Sequence, residues 1–116
     1  MKKTLLLTSI VFSALTLSPN VSANDSVGLR VCEYIKANDK SRLRSYLKQQ
    51  KLRVRNLYDQ IKCNDMNLLI FAAANQSLEA GEFLIGKIPA KKVQEEIDNI
   101  AKHSAHLAEE ARLRVE

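Results

Sequence analysis

His103, His106 and Glu110 stand at i, i+3 and i+7, a spacing that turns all three toward one side of a helix. Neutral imidazoles and a carboxylate in that arrangement suit zinc or copper. Histidines so spaced are also common as plain surface residues of a hydrophilic helix, and no cysteine is free to join them, so no cofactor is expected. Cys32 and Cys63 are the only cysteines. They lack the Cys-x-x-Cys spacing that depresses a thiol pKa, and in an oxidising compartment they pair as one structural disulfide. Catalytic signatures are missing: there is no nucleophile elbow, no phosphate-cradling glycine loop and no His-Glu-x-x-His pattern. The adjacent acids Glu95 and Glu96 point to different sides of a helix rather than across a cleft. The sequence therefore reads as a non-enzyme.

Charge is the other chemical signal. From Lys36 to Lys62 nine basic residues face only Asp39 and Asp59, a net of +7, whereas from Cys63 onward six basic residues face nine acidic ones, a net of −3. Lys40, Arg44 and Lys48 recur every four residues and share a helix face. Together with Arg42, Lys51, Arg53 and Arg55 they form a candidate basic binding face. It could take an acidic protein, anionic lipid headgroups or the phosphates of lipopolysaccharide. A solvated face partly paired with the acidic C-terminal half is the plainer reading. Tyr46 and Tyr58 lie nearby without a groove-reading or stacking motif, so nucleic acid is not expected as a partner.

The elements that must carry these residues begin after an export signal. Lys2 and Lys3 form a positive start, Leu5 to Leu17 is apolar apart from Ser and Thr, and Val21-Ser22-Ala23 offers small residues before a cut at Asn24. The apolar run is shorter than the ~20 residues a spanning helix needs, and Pro19 ends it. The expectation is a signal peptide over residues 1–23, a mature chain over 24–116 without a transmembrane segment, and a periplasmic address.

Within 24–116 glycine and proline are too scarce for an all-β domain, and apolar residues recur at helical spacing. Val27, Val31, Tyr34 and Ile35 form one stripe and Leu43, Tyr46 and Leu47 another, with Asn38-Asp39 turning between them. Val54, Leu57, Tyr58 and Ile61 give a third stripe that stops near Cys63. Leu68, Leu69, Phe71 and Ala72, then Leu78, Gly81, Leu84 and Ile85, form a dense hairpin around Asn75-Gln76-Ser77, where the core should lie. Pro89 suits the first turn of a further helix. Val93, Ile97, Ile100, Ser104, Leu107 and Ala111 draw one narrow seam along residues 90–114, expected as a single amphipathic helix packed on its own domain.

Two resemblances follow from these segments. Asn67 to Ile85 looks like the helical pair of an ankyrin repeat, and Ile35 to Leu47 like a degenerate preceding one. Gln76-Ser77 stands where the repeat has Gly-His, Asn67-Leu68 where it has Thr-Pro, and the β-turn that follows the second helix is absent. The predicted fold is thus all-α: two ankyrin-like helical hairpins and a C-terminal helix, with one disulfide. The span from Val31 to Pro89, with Leu57-Tyr58-Asp59-Gln60-Ile61-Lys62-Cys63-Asn64 and Asn67-Leu68-Leu69, resembles domain of unknown function 3718, a family of small exported proteins from Gram-negative bacteria. That resemblance implies a periplasmic address and no activity. Ankyrin-like hairpins are usually binding scaffolds, so the expected function is that of an interaction module for an envelope protein. The alternatives are a binder of anionic lipid or lipopolysaccharide and a metal-binding accessory protein.

Overall fold

Three turns through the left-handed region set the path of the chain. In the computed structural model, which describes residues 23–116, Asn38 (φ 57°), Lys51 (φ 56°) and Gln76 (φ 56°) stop the helices α1 (Ala23–Lys36), α2 (Lys40–Gln49) and α4 (Leu68–Ala74). Each turn is closed the same way: the next backbone N–H reaches back five residues. Asp39 donates to Tyr34, Leu52 to Leu47 and Ser77 to Ala72, all at 2.9 Å. This satisfies carbonyls that a helix end leaves orphaned, in the motif that usually employs glycine. Two of these turns also reach across the fold. Asn38 Oδ1 accepts from the Ala80 amide at 3.0 Å, and Gln76 Nε2 donates to the His103 carbonyl at 2.6 Å. Of the expected signal segment, residues 1–23, all but Ala23 lies outside the described residues.

The hairpins read from the sequence are present as α1–α2 and as α4 with α5 (Leu78–Lys87). Their ankyrin-like stacking is not established. Between them the stripe Val54, Leu57, Tyr58 and Ile61 is buried as expected. Its helix, α3 (Val54–Leu57), is nevertheless a single turn. Asn64 and Asp65 take positive φ, Cys63 and Met66 exchange two backbone hydrogen bonds, and the Cys32–Cys63 disulfide, with Cα atoms 5.7 Å apart, pins this loop to α1. A longer helix would have to break those constraints.

The larger correction concerns residues 90–114. They do not form one helix: α6 (Ala90–Ala101) ends in a turn at Lys102-His103, and α7 (Ala105–Val115) folds back against it. Ser104, which sat in the apolar seam, is the hinge. Its backbone is extended (φ −151°, ψ 109°), and its Oγ accepts from the Leu107 amide at 3.1 Å as an N-cap. Folding back lets Val93 and Ile100 from α6 and Leu107 and Ala111 from α7 all bury in one core with Leu84 and Ile88. A straight helix of that length would carry half its seam past the core. The segment packs on its own domain, as expected.

Two buried serines begin helices, and they should respond oppositely to truncation. Ser104 makes the cap just described, whereas the Ser77 hydroxyl, before α5, finds no hydrogen-bond partner among the described residues. Ser104→Ala is expected to cost about 1 kcal/mol. Ser77→Ala should be neutral or stabilising by up to about 1 kcal/mol, because a buried unpaired hydroxyl brings only its desolvation penalty. Urea denaturation of the two variants checks this, and equal losses would contradict the assignment.

Candidate functional site

Lys40, Arg44 and Lys48 recur every four residues along α2, as expected. Part of the basic residues of the sequence converge on a groove of about 530 Å³ built by four elements. The last turns of α2 bring Arg44, Leu47 and Lys48. The left-handed turn at Lys51 then redirects the chain, so that Leu52 and Arg53 and, on α3, Val54 and Arg55 form an adjoining wall. The C-terminal half of α5 adds Phe83, Gly86 and Lys87, and the end of α7 adds Arg114.

Of the seven residues in the expected basic face, Arg44, Lys48, Arg53 and Arg55 line this groove. Lys40, Arg42 and Lys51 do not. Arg42 is held by Asp39 instead, Nε to Oδ2 at 3.5 Å. Sequence reading missed Lys87 and Arg114, which are distant in the chain and sit in its acidic half. The only local signal was their position in the last turns of α5 and α7, where cations complement the helix dipole.

The groove is cationic by construction. Its lining holds six basic residues and no acidic one. Arg44, Lys48, Arg53, Arg55 and Lys87 have no carboxylate within 4.0 Å among the described residues. Arg114 is fixed: Nε donates to the Ile85 carbonyl at 3.1 Å and a terminal nitrogen to the Ile88 carbonyl at 3.2 Å, capping the end of α5. The Lys87 ammonium lies 5.9 Å from the centre of the Phe83 ring. Leu47, Leu52, Val54 and Phe83 make the apolar part of the lining. The arrangement can hold an anion-rich ligand that also carries apolar groups.

The histidines are separated. His103 lies in the turn between α6 and α7, where its carbonyl serves Gln76, and it does not join His106. His106 on α7 instead meets Glu82 on α5, Nε2 to Oε2 at 2.5 Å, with Glu110 one helical turn further on. One ligand atom from each of Glu82, His106 and Glu110 lies within 4.8 Å of the others. The expected set of His103, His106 and Glu110 thus keeps two members and exchanges His103 for Glu82.

This cluster raises the His106 pKa above its ordinary 6.5. The hydrogen bond with Glu82 contributes most, and the charges of Glu82 and Glu110 add to it, together outweighing desolvation. Since the folded ring holds its proton more tightly than the unfolded one, the pair supports the α5–α7 contact fully below pH 6.5. That support is lost as pH rises through the raised value.

Over residues 31–95 the chain matches the model of the family described as Protein of unknown function (DUF3718), and it belongs to that family. The matched span runs from α1 into α6 and stops short of α7, which supplies Arg114 to the groove and His106 and Glu110 to the cluster. No curated protein and no solved structure matches the chain.

Proposed function

We propose that the protein is a non-catalytic interaction module of the bacterial periplasm whose basic groove holds an acidic, partly apolar segment of an envelope protein. The observation that carries this reading is the groove itself: six cations from α2, α3 with its preceding loop, α5 and α7 around an apolar strip, with no acidic residue in the lining. Exposed cations bordering buried and half-buried apolar side chains suit an extended peptide, whose alternating side chains can meet both kinds of surface. The apolar strip of Leu47, Leu52, Val54 and Phe83 between the cations gives a segment's apolar side chains a place that lipid headgroups, needing only charge, would not use, which favours the protein segment over anionic lipid headgroups. The disulfide supports an oxidising compartment. Among the described residues no helix is long and apolar enough to cross a membrane.

The test is fluorescence anisotropy with a labelled peptide of alternating Glu and Leu, beside co-sedimentation with phosphatidylglycerol vesicles and with lipopolysaccharide. Three proteins are compared: the wild type, a groove variant reversed at Arg44, Arg53 and Arg55, and a control reversed at Lys40 and Arg42. Each lost exposed charge contact is worth up to about 1 kcal/mol, so the groove variant should bind the peptide roughly ten- to a hundredfold more weakly. The control should bind nearly as well as the wild type, because its two residues lie outside the groove. Equal weakening in both variants would mean net charge rather than the groove governs binding. Sedimentation with vesicles or lipopolysaccharide, without peptide binding, would replace the protein partner by a lipid one.

A further inference from the structure

We infer that Glu82, His106 and Glu110 form a binding site for a divalent ion of the zinc class, seated between α5 and α7. A zinc ion takes imidazole nitrogen and carboxylate oxygen at about 2.0 to 2.2 Å, and three protein ligands leave a fourth position for water. Ligand atoms that already lie within 4.8 Å of one another need only small side-chain rotations to close on one ion. Two of the three come from one helix at i and i+4, which sets them on a common face. The third is delivered by close helix packing. Gly81, next to Glu82, has no Cβ, and an added one would stand 2.7 Å from Leu107 Cδ1, beside His106. That close approach draws the carboxylate of one helix to the imidazole of the other.

The chemistry of the ligand set selects the ion. One nitrogen and two carboxylates favour zinc or copper over magnesium and calcium, which prefer oxygen alone. His106 Nε2 and Glu82 share a hydrogen bond where the ion would bind. The metal would take the place of that hydrogen bond, and the carboxylates of Glu82 and Glu110 would neutralise the cation.

Isothermal titration of the purified, untagged protein with zinc chloride tests the site, with the cobalt(II) visible spectrum as a second readout. One equivalent of zinc is expected, and tetrahedral cobalt bands should appear on the same protein. His106→Ala, Glu82→Gln and Glu110→Gln should each weaken binding by roughly tenfold or more, the smallest loss seen on disturbing a metal's surroundings. His103→Ala should change nothing, and neither should charge reversal in the groove. All three ligands are partly exposed and Glu→Gln preserves shape, so these variants keep the fold, which far-UV circular dichroism verifies. Absence of saturable zinc binding, or an equal loss on His103→Ala, would overturn the assignment. Neither result bears on the groove.

Discussion

Reduction of the Cys32–Cys63 bond is expected to remove about 3 to 4 kcal/mol of stability, the chain-entropy effect of opening a loop of 31 residues. A domain of this size has roughly 5 to 15 kcal/mol in all, so the loss is a large share of it. The bond's position sharpens the effect. It joins α1 to the loop that enters α4, and that loop otherwise depends on two hydrogen bonds between Cys63 and Met66 and on two residues at positive φ. Urea denaturation with and without dithiothreitol, repeated on a Cys32→Ala/Cys63→Ala double variant, gives the measurement. Coincident midpoints would mean that the helices hold this loop without the bond.

Leu107→Ala should cost about 2 to 5 kcal/mol, and Gly81→Ala should be destabilising although alanine is the better helix former. Leu107 is 1% exposed and fills the space above Gly81, so its truncation opens a cavity at the α5–α7 contact. An alanine at 81 gains about 1 kcal/mol of helix propensity. Its methyl would stand 2.7 and 2.8 Å from the two Leu107 methyls and 3.3 Å from Cγ. A side chain enclosed in the core cannot swing clear of all three, and overpacking of this kind costs about 1 to 3 kcal/mol. The double variant is the decisive construction, since the new methyl then occupies space that Leu107 vacates. Its loss should be smaller than the sum of the two single losses, by about 0.5 to 3 kcal/mol. Strict additivity in thermal or urea denaturation would show that the two residues do not compete for the same volume.

The hairpins were legible because local chemistry and helical period agree there. Asn38-Asp39 and Asn75-Gln76-Ser77 interrupt apolar stripes where α1 and α4 end, and Asn67 and Asp39 accept from the Ile70 and Arg42 amides as caps. The C-terminal hairpin was not legible, because Val93, Ile97, Ile100, Ser104, Leu107 and Ala111 keep one helical period straight through the turn. Ser104 alone marked the break, and a serine inside a seam reads equally as a polar seam residue or as a cap. The short α3 was obscured in the same way: Ile61 continues its stripe, but burial there comes from a loop tied by the disulfide.

By itself the sequence determined the helical class, the cysteine pair and the concentration of positive charge between Lys36 and Lys62, since each depends on residue type and near-neighbour spacing. Only the tertiary structure decided which charges work together. Arg114 and Lys87 join Arg44, Lys48, Arg53 and Arg55 because α5 and α7 end beside α2 and α3. Glu82 replaces His103 beside His106 because α7 folds back onto α5 at Gly81. Contacts between residues far apart in the chain are set by how the helices bury their apolar faces, and no spacing along the sequence encodes them.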